Sequence, residues 1–322
     1  TRILYYSGSD GISVFAKVKL VITDIDNNGY VDVIIGCIAE SVVTSKAFVI
    51  KFYWQGPNIS LTQVTQNIRS FQVSDINNDG LEDLIYVGQD NKVFWKAGGV
   101  YSEFGSAQNL IQYDMFKGTN IMVDDYDENG IKDIILWGDV NNNDINLYLR
   151  KGLNNYSTPI FQTIKSDVKP TLVQFVDLDN DGHNDLVIAF SDNKIVWHRN
   201  QKDMFGLPRE VETTATEAPI VVSGGDFDSD GDTDIVMGYR YDGRIAVLLN
   251  DGIGNFTEAD TLTDEPETDI WVLSTADINS DGHLDIVWGS NCKNKIGWYE
   301  NAGNSIFNVK HEILLDIVIL LS

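Results

Sequence analysis

A nine-residue acidic pattern, Asp-x-Asp/Asn-x-Asp/Asn-Gly-x-x-Asp, occurs six times in this chain. The copies are DIDNNGYVD from Asp24, DINNDGLED from Asp75, DYDENGIKD from Asp125, DLDNDGHND from Asp177, DFDSDGDTD from Asp226 and DINSDGHLD from Asp277. Their first aspartates lie 51, 50, 52, 49 and 51 residues apart. Chance does not hold a spacing that constant, so the chain is a repeat protein whose units share one core. Its 322 residues, which alone suggest two domains, therefore read as a single domain over 1–322.

The segments between the motifs are equally regular. A short apolar run precedes each motif, as in Lys19-Leu20-Val21-Ile22 or 171–176, and a second follows it, as in Asp133-Ile134-Ile135-Leu136-Trp137 or Asp285-Ile286-Val287-Trp288. A third run is aromatic, for example Lys92-Val93-Phe94-Trp95, Ile195-Val196-Trp197-His198 and Ile296-Gly297-Trp298-Tyr299. A fourth follows a Gly/Asn turn and a Phe, as in Asn250-Asp251-Gly252-Ile253-Gly254-Asn255-Phe256. β-Branched and aromatic runs between turn residues are strands, and no segment has a helical period. Four strands per repeat of about fifty residues predict the blades of an all-β propeller, with a solenoid of hairpins as the alternative.

The ends suggest seven blades. Residues 2–8 and 12–15 match the third and fourth strands of a blade, and 316–322 matches a first strand, so a closing blade shared by both termini is expected. Its metal motif and second strand are missing, which predicts a chain cut from a longer seven-bladed ring. The start at Thr1, with neither Met nor leader, fits a processed chain or a fragment. Cys37 and Cys292 are the only cysteines, so no disulfide framework is present. With a closing blade between their repeats they are too far apart to bond, since a disulfide needs Cα atoms within about 7 Å.

The motif has the chemistry of a calcium loop. Calcium takes six to eight hard oxygens at about 2.3–2.6 Å. Side chains at positions 1, 3 and 5, a backbone carbonyl at 7 and an Asp at 9 supply them, while Gly at 6 allows a positive φ. The candidate ligands are Asp24, Asp26, Asn28, Tyr30 and Asp32; Asp75, Asn77, Asp79, Leu81 and Asp83; and Asp125, Asp127, Asn129, Ile131 and Asp133. The later repeats offer Asp177, Asp179, Asp181, His183 and Asp185; Asp226, Asp228, Asp230, Asp232 and Asp234; and Asp277, Asn279, Asp281, His283 and Asp285. An EF-hand would need Glu at position 12, where this chain has Ile35, Tyr86, Leu136, Ile188, Met237 and Trp288. The unlike residues at position 7 fit a backbone contribution, and His183 and His283 read as exposed turn residues rather than zinc ligands.

Charge agrees. Twenty aspartates occupy positions 1, 3, 5 and 9, and about six Ca²⁺ would cut the net charge of −25 to −13. Without metal, each loop crowds like charges together. The loops from Asp177 and Asp226 carry four carboxylates each at those positions and are expected to be the most highly charged sites.

A DxDxDGxxD hairpin between two strands of a fifty-residue repeat resembles the FG-GAP/VCBS repeats of the integrin α N-terminal propeller superfamily, over essentially the whole chain. The resemblance implies a seven-bladed propeller with calcium in the loops joining first and second strands. The Phe-Gly/Gly-Ala-Pro signature of the integrin repeats is absent, so the likeness is to the broader VCBS group, and no integrin ligand site carries over.

The acidity excludes a basic nucleic-acid footprint. No apolar run reaches the roughly 18 residues of a membrane span; the greasiest, Ile313 to Leu321, is broken by Asp316 and reads as a strand. Asn58, Asn155 and Asn255 head glycosylation sequons, each expected in the turn between third and fourth strands. The opposite loops, Gly36 to Lys46, 113–117 and 238–241, place aromatics beside Arg or Lys and suit a glycan or protein ligand. His183, His198, His283 and His311 are scattered, and no basic or nucleophilic constellation points to catalysis. The sequence therefore predicts a non-enzymatic, calcium-binding extracellular module for adhesion, or for glycan or protein binding. The alternatives are a lyase-like propeller acting on polysaccharides and a structural subunit of a larger extracellular assembly.

Overall fold

A computed structural model describes residues 2–7, 13–25, 27, 29, 32–39, 46–52, 59–66, 68–90, 92–99, 103–111, 119–138, 143–150, 152, 160–241, 243–263, 270–290, 295–307 and 309–314. All regular structure among them is β-strand, in two compact units, Thr1–Asp167 and Val168–Ser322.

In the first unit, β1 (Arg2–Ser7), β2 (Ser13–Thr23), β3 (Asp32–Ala39), β4 (Lys46–Phe52) and β5 (Ile59–Gln66) form one antiparallel sheet. The next sheet has β6 (Ile68–Ser74), β7 (Asp83–Gly88), β8 (Val93–Lys96) and β11 (Gln108–Asn109) as successive neighbours. A small hairpin of β9 (Gly98–Gly99) and β10 (Glu103–Phe104) is inserted before its outer strand. A third sheet holds β12 (Asn120–Asp124), β13 (Asp133–Trp137), β14 (Ile145–Leu149) and β15 (Ile160–Ile164).

The second unit repeats this three times. Its sheets are β16 (Pro170–Val176), β17 (Asp185–Phe190), β18 (Ile195–Asn200) and β19 (Phe205–Glu210); β20 (Val221–Gly225), β21 (Asp234–Gly238), β22 (Arg244–Asn250) and β23 (Phe256–Thr263); and β24 (Ile270–Ala276), β25 (Asp285–Ser290), β26 (Lys295–Glu300) and β27 (Val309–Leu314). Each is an antiparallel meander, as expected of a blade.

Packing explains why the second strands read as unbroken apolar runs. Successive side chains of a strand point to opposite faces. Ile235 and Met237 of β21 enter a core with Val187, Ala189 and Trp197 of the preceding sheet. Val236, between them, enters a core with Ile270, Ile286 and Trp288 of the following sheet. In the first unit Leu84 and Tyr86 of β7 likewise face Ile25 and Ile34, while Ile85 and Val87 face Ile121, Ile134 and Leu136. Burying each such side chain contributes about 1.5–3 kcal/mol, so neighbouring sheets within a unit stabilise one another. Outer strands do not share this burial: after Phe205, β19 is largely exposed.

One expectation is corrected. Residues 2–7 and 13–15 do not form the outer half of a separate blade; β1 pairs with β2, which runs unbroken to Thr23 as the first strand of the first repeat. The stretch Val14-Phe15-Ala16-Lys17-Val18-Lys19-Leu20-Val21-Ile22 contains no Gly, Pro or Asn to end a strand, so the two predicted strands fuse. Cys37 sits inside β3, opposite Val18 and Lys46. Cys292 and 315–322 lie outside the described residues, and with them the expectations about cysteine pairing and a C-terminal strand.

Candidate metal centre

Each motif joins the first two strands of its repeat, β2 and β3 in the five-stranded sheet and the leading pair in each of the others, and one hydrogen-bond scheme shapes them. The Asp at position 1 accepts the amide of the position-6 glycine: Gly29 to Asp24, Gly80 to Asp75, Gly130 to Asp125, Gly182 to Asp177, Gly231 to Asp226 and Gly282 to Asp277, at 2.6–3.1 Å. These glycines have φ of +80 to +95°, which lets the loop turn back on itself. Position 4 is also left-handed, in Asn27, Asn78, Glu128, Asn180, Ser229 and Ser280. In the described hairpins from Asp75 onward the carboxylate or amide oxygen at position 5 accepts the amide at position 7, as in Leu81, Ile131, His183, Asp232 and His283.

Position 9 does more structural work than the sequence suggested. Its Oδ2 accepts the position-2 amide in every repeat, from Ile25 to Asp32, Ile76 to Asp83, Tyr126 to Asp133, Leu178 to Asp185, Phe227 to Asp234 and Ile278 to Asp285. In the last five its Oδ1 accepts an amide near the end of the third strand, from Gly98, Arg150, Asn200, Asn250 and Asn301. Burial raises four of these carboxyls, to about 6 for Asp83 and Asp234 and about 7 for Asp133 and Asp185, against the pull of the amides.

Oxygens converge where a cation would sit. One carboxylate oxygen from each of Asp125, Asp127 and Asp133 lies within 4.8 Å of the others, and the same holds for Asp177, Asp179 and Asp185 and for Asp226, Asp228 and Asp230. Asp177 Oδ1 and Asp179 Oδ1 are buried with no hydrogen-bond partner. A buried carboxylate oxygen left unpaired is costly, so these residues fit a bound cation. In the hairpins with Asn at position 3, Asn77 and Asn279 donate to Asp79 and Asp281 at 2.9 Å.

The side chains at position 5 of one hairpin and position 7 of another have further partners. Asp181 accepts from Arg199 and from the His183 amide, and Asp232 accepts from Asn180 of the preceding hairpin. His183 and His283 are half-buried rather than exposed, and His283 Nδ1 lies 3.3 Å from Ser229 Oγ. Asp26, Asn28 and Tyr30 lie outside the described residues, as do Asn58 and Asn155. Asn255 is exposed in the turn between β22 and β23, its amide held by Asp251.

Sequence reading missed the ties between repeats. Asn250 Nδ2 donates to the carbonyl of Leu178 at 2.6 Å, Asn301 Nδ2 to that of Phe227 at 2.8 Å and Arg150 Nη1 to that of Ile76 at 2.6 Å. Each reaches position 2 of the preceding hairpin. Position 4 adds a second tie, as Asn78 donates to Gly130 and Asn180 to Gly231, both at 2.8 Å. The available signal was an Asn 16 residues after position 9, at Asn250 and Asn301.

At the other end of the same sheets, Arg240 lies over the rings of Tyr241, at 5.3 Å, and Trp271, at 4.7 Å. Tyr241 is 70% exposed. This pairs the loop between β21 and β22 with the start of β24.

Comparison with known proteins agrees with this architecture. No curated protein matches the sequence. Among solved structures, an Agrocybe aegerita lectin that recognises non-reducing terminal N-acetylglucosamine superposes with a TM-score of 0.67 at 17% identity, over 96% of this chain and 83% of the lectin. Chaetomium thermophilum Sqt1, bound to the N-terminus of ribosomal protein L10, gives 0.55 at 12% identity over 87% of this chain and 71% of Sqt1. BBS1N in complex with ARL6DN gives 0.52 at 14% identity over 79% and 70%. These likenesses support the β-propeller fold. FG-GAP-like repeats match residues 125–188, 177–237 and 226–288, together half of the sequence. With the acidic hairpin recurring in one geometry and the repeats recognised in tandem, the chain belongs to the FG-GAP-like repeat proteins.

Proposed function

We propose that this β-propeller is a calcium-loaded extracellular binding module without catalytic activity, holding a metal ion in each of its six acidic hairpins. The observation that carries the reading is the pair of buried, unpartnered oxygens Asp177 Oδ1 and Asp179 Oδ1 beside the Asp185 carboxylate. Calcium is a hard, oxygen-seeking cation of flexible coordination, and it matches a donor set of carboxylates, amide oxygens and backbone carbonyls. Positions 1, 3 and 5 would hold it by side chains, position 7 by its carbonyl, and position 9 by a carboxylate already fixed by two amides. The ion supplies charge neutralisation, so a loop that repels itself becomes a rigid one. An exposed Asn255 sequon and loops suited to millimolar calcium support a location outside the cytosol.

The ligand surface would be the opposite end of the sheets, where Arg240 and the exposed Tyr241 offer a cation and an aromatic face beside Trp271. Aromatic faces and a guanidinium suit a sugar ring and its polar substituents, and the fold is used by the Agrocybe aegerita lectin for a terminal sugar. A glycan array probed with the calcium-loaded protein tests this. Retention of a defined glycan class, lost in Tyr241→Ala, is expected. Uniform failure to bind would turn the reading to a protein partner, and turnover of a uronic-acid polymer would overturn the non-enzymatic reading.

A further inference from the structure

The hairpin from Asp177 carries its own cation. Arg199 Nε lies 2.7 Å from Asp179 Oδ2, and Arg199 Nη2 lies 2.9 Å from Asp181 Oδ2. One guanidinium thus spans positions 3 and 5 of the loop, in the two-pronged manner that suits Arg to carboxylates. The Asp179 side chain is 9% exposed and that of Arg199 47%.

Strand register locates the equivalent position in the other repeats. Leu186, the residue after position 9, opposes His198, so Arg199 follows that partner. The corresponding pairs are Leu84 with Lys96, Ile134 with Tyr148, Ile235 with Leu248 and Ile286 with Tyr299. The residues that follow are Ala97, Leu149, Leu249 and Glu300, none of them a cation. The first repeat has Lys51 there, whose side chain is outside the described set.

Arg199 takes only the Oδ2 atoms. Asp177 Oδ1 and Asp179 Oδ1 stay buried and unpartnered, so the pocket for a metal persists beside the guanidinium. The two cations then compete electrostatically without excluding each other. We propose that Arg199 is a resident counter-cation of this hairpin, holding Asp179 and Asp181 in place when no metal is bound and weakening the hairpin's grip on calcium. The hairpin has four carboxylates at positions 1, 3, 5 and 9, and one guanidinium brings it level with the three-carboxylate hairpins from Asp75, Asp125 and Asp277. The hairpin from Asp226, with no such cation at the equivalent Leu249, keeps its full charge and binds most tightly. This rests on the calcium reading above.

Two histidines allow the hairpins to be followed separately in the intact chain. The His183 amide donates to Asp181 Oδ1 at 3.0 Å, in the Arg199 hairpin, and the His283 amide donates to Asp281 Oδ1 at 2.9 Å, in the hairpin from Asp277. Calcium is titrated into histidine-labelled protein by NMR at neutral pH, for the parent chain, Arg199→Gln and Arg199→Lys. In Arg199→Gln the His183 midpoint should fall about tenfold in calcium, the scale of losing one nearby charge in a partly screened site. His283 should not move, and Arg199→Lys, which keeps the charge, should stay near the parent value. A His183 midpoint that is unchanged or higher in Arg199→Gln, while His283 titrates normally, overturns the role of Arg199. If neither histidine responds to calcium in any of the proteins, the calcium reading itself fails.

Discussion

The side-chain amide of Asn250 donates to the carbonyl of Leu178 at 2.6 Å, fastening the third strand of one repeat to the acidic hairpin of the repeat before it. Asn250 also donates to the Thr233 carbonyl, and its Oδ1 accepts the Gly254 amide. Acidic hairpin and blade packing are therefore one mechanical unit in these repeats.

Replacing Asn250 by Ala leaves buried backbone groups unpaired and should cost about 2–3 kcal/mol. Asn255→Ala, an exposed change five residues away, should cost less than about 1 kcal/mol. Urea denaturation of both variants in saturating calcium checks the contrast; equal losses would mean that the tie between repeats is unimportant.

Positions 3 and 9 of a hairpin should separate by their calcium dependence. Asp185→Asn disturbs two backbone bonds at a fully buried site and should cost about 2–3 kcal/mol even when calcium is saturating. Asp179→Asn removes a charge from the candidate metal pocket as well as the bond to Arg199, so its penalty should be larger in calcium than in chelator, where only that bond is lost. Melting curves of each variant with calcium and with EGTA distinguish the two; a loss in Asp179→Asn no larger in calcium than in chelator would contradict its assignment as a ligand.

Much of this was legible in the sequence because the motif fixes both loop and strands: Gly at position 6 and Asp at position 9 predict where each chain reversal ends and each second strand begins. Arg199 was not legible, since the 20 residues from Asp179 to Arg199 become a contact only through the pairing of β17 with β18. Asn250 reads as a turn residue, whereas it ends β22, and the inward ties of Asn250 and Asn301 depend on the neighbouring sheet. The fused β2 was misread because residues 12–15 resemble an outer strand, while the run that continues to Thr23 carries no breaker.

Acidity should affect the metal-free protein in an unusual direction. Burial raises Asp133 and Asp185 to about 7 and Asp83 and Asp234 to about 6, from an ordinary value of 3.8. Between about pH 4 and pH 7 the native state keeps protons at these four that the unfolded chain has released, so their contribution to stability is full below that window and lost as pH rises through it. Calcium bound as proposed would replace those protons. The gap in melting temperature between the calcium-loaded chain and the chain stripped of metal beforehand should therefore widen from pH 4.5 to pH 7.5, and a constant gap would contradict this.

The central claim is that cations occupy the six hairpins, and native mass spectrometry of the calcium-equilibrated chain, paired with thermal melting in EGTA, tests it most directly. About six bound Ca²⁺ and a melting temperature lower by several degrees in excess chelator are predicted, because a ligand held only by the folded state stabilises it by mass action. A chain that carries no calcium and melts identically in calcium and in EGTA would contradict the account.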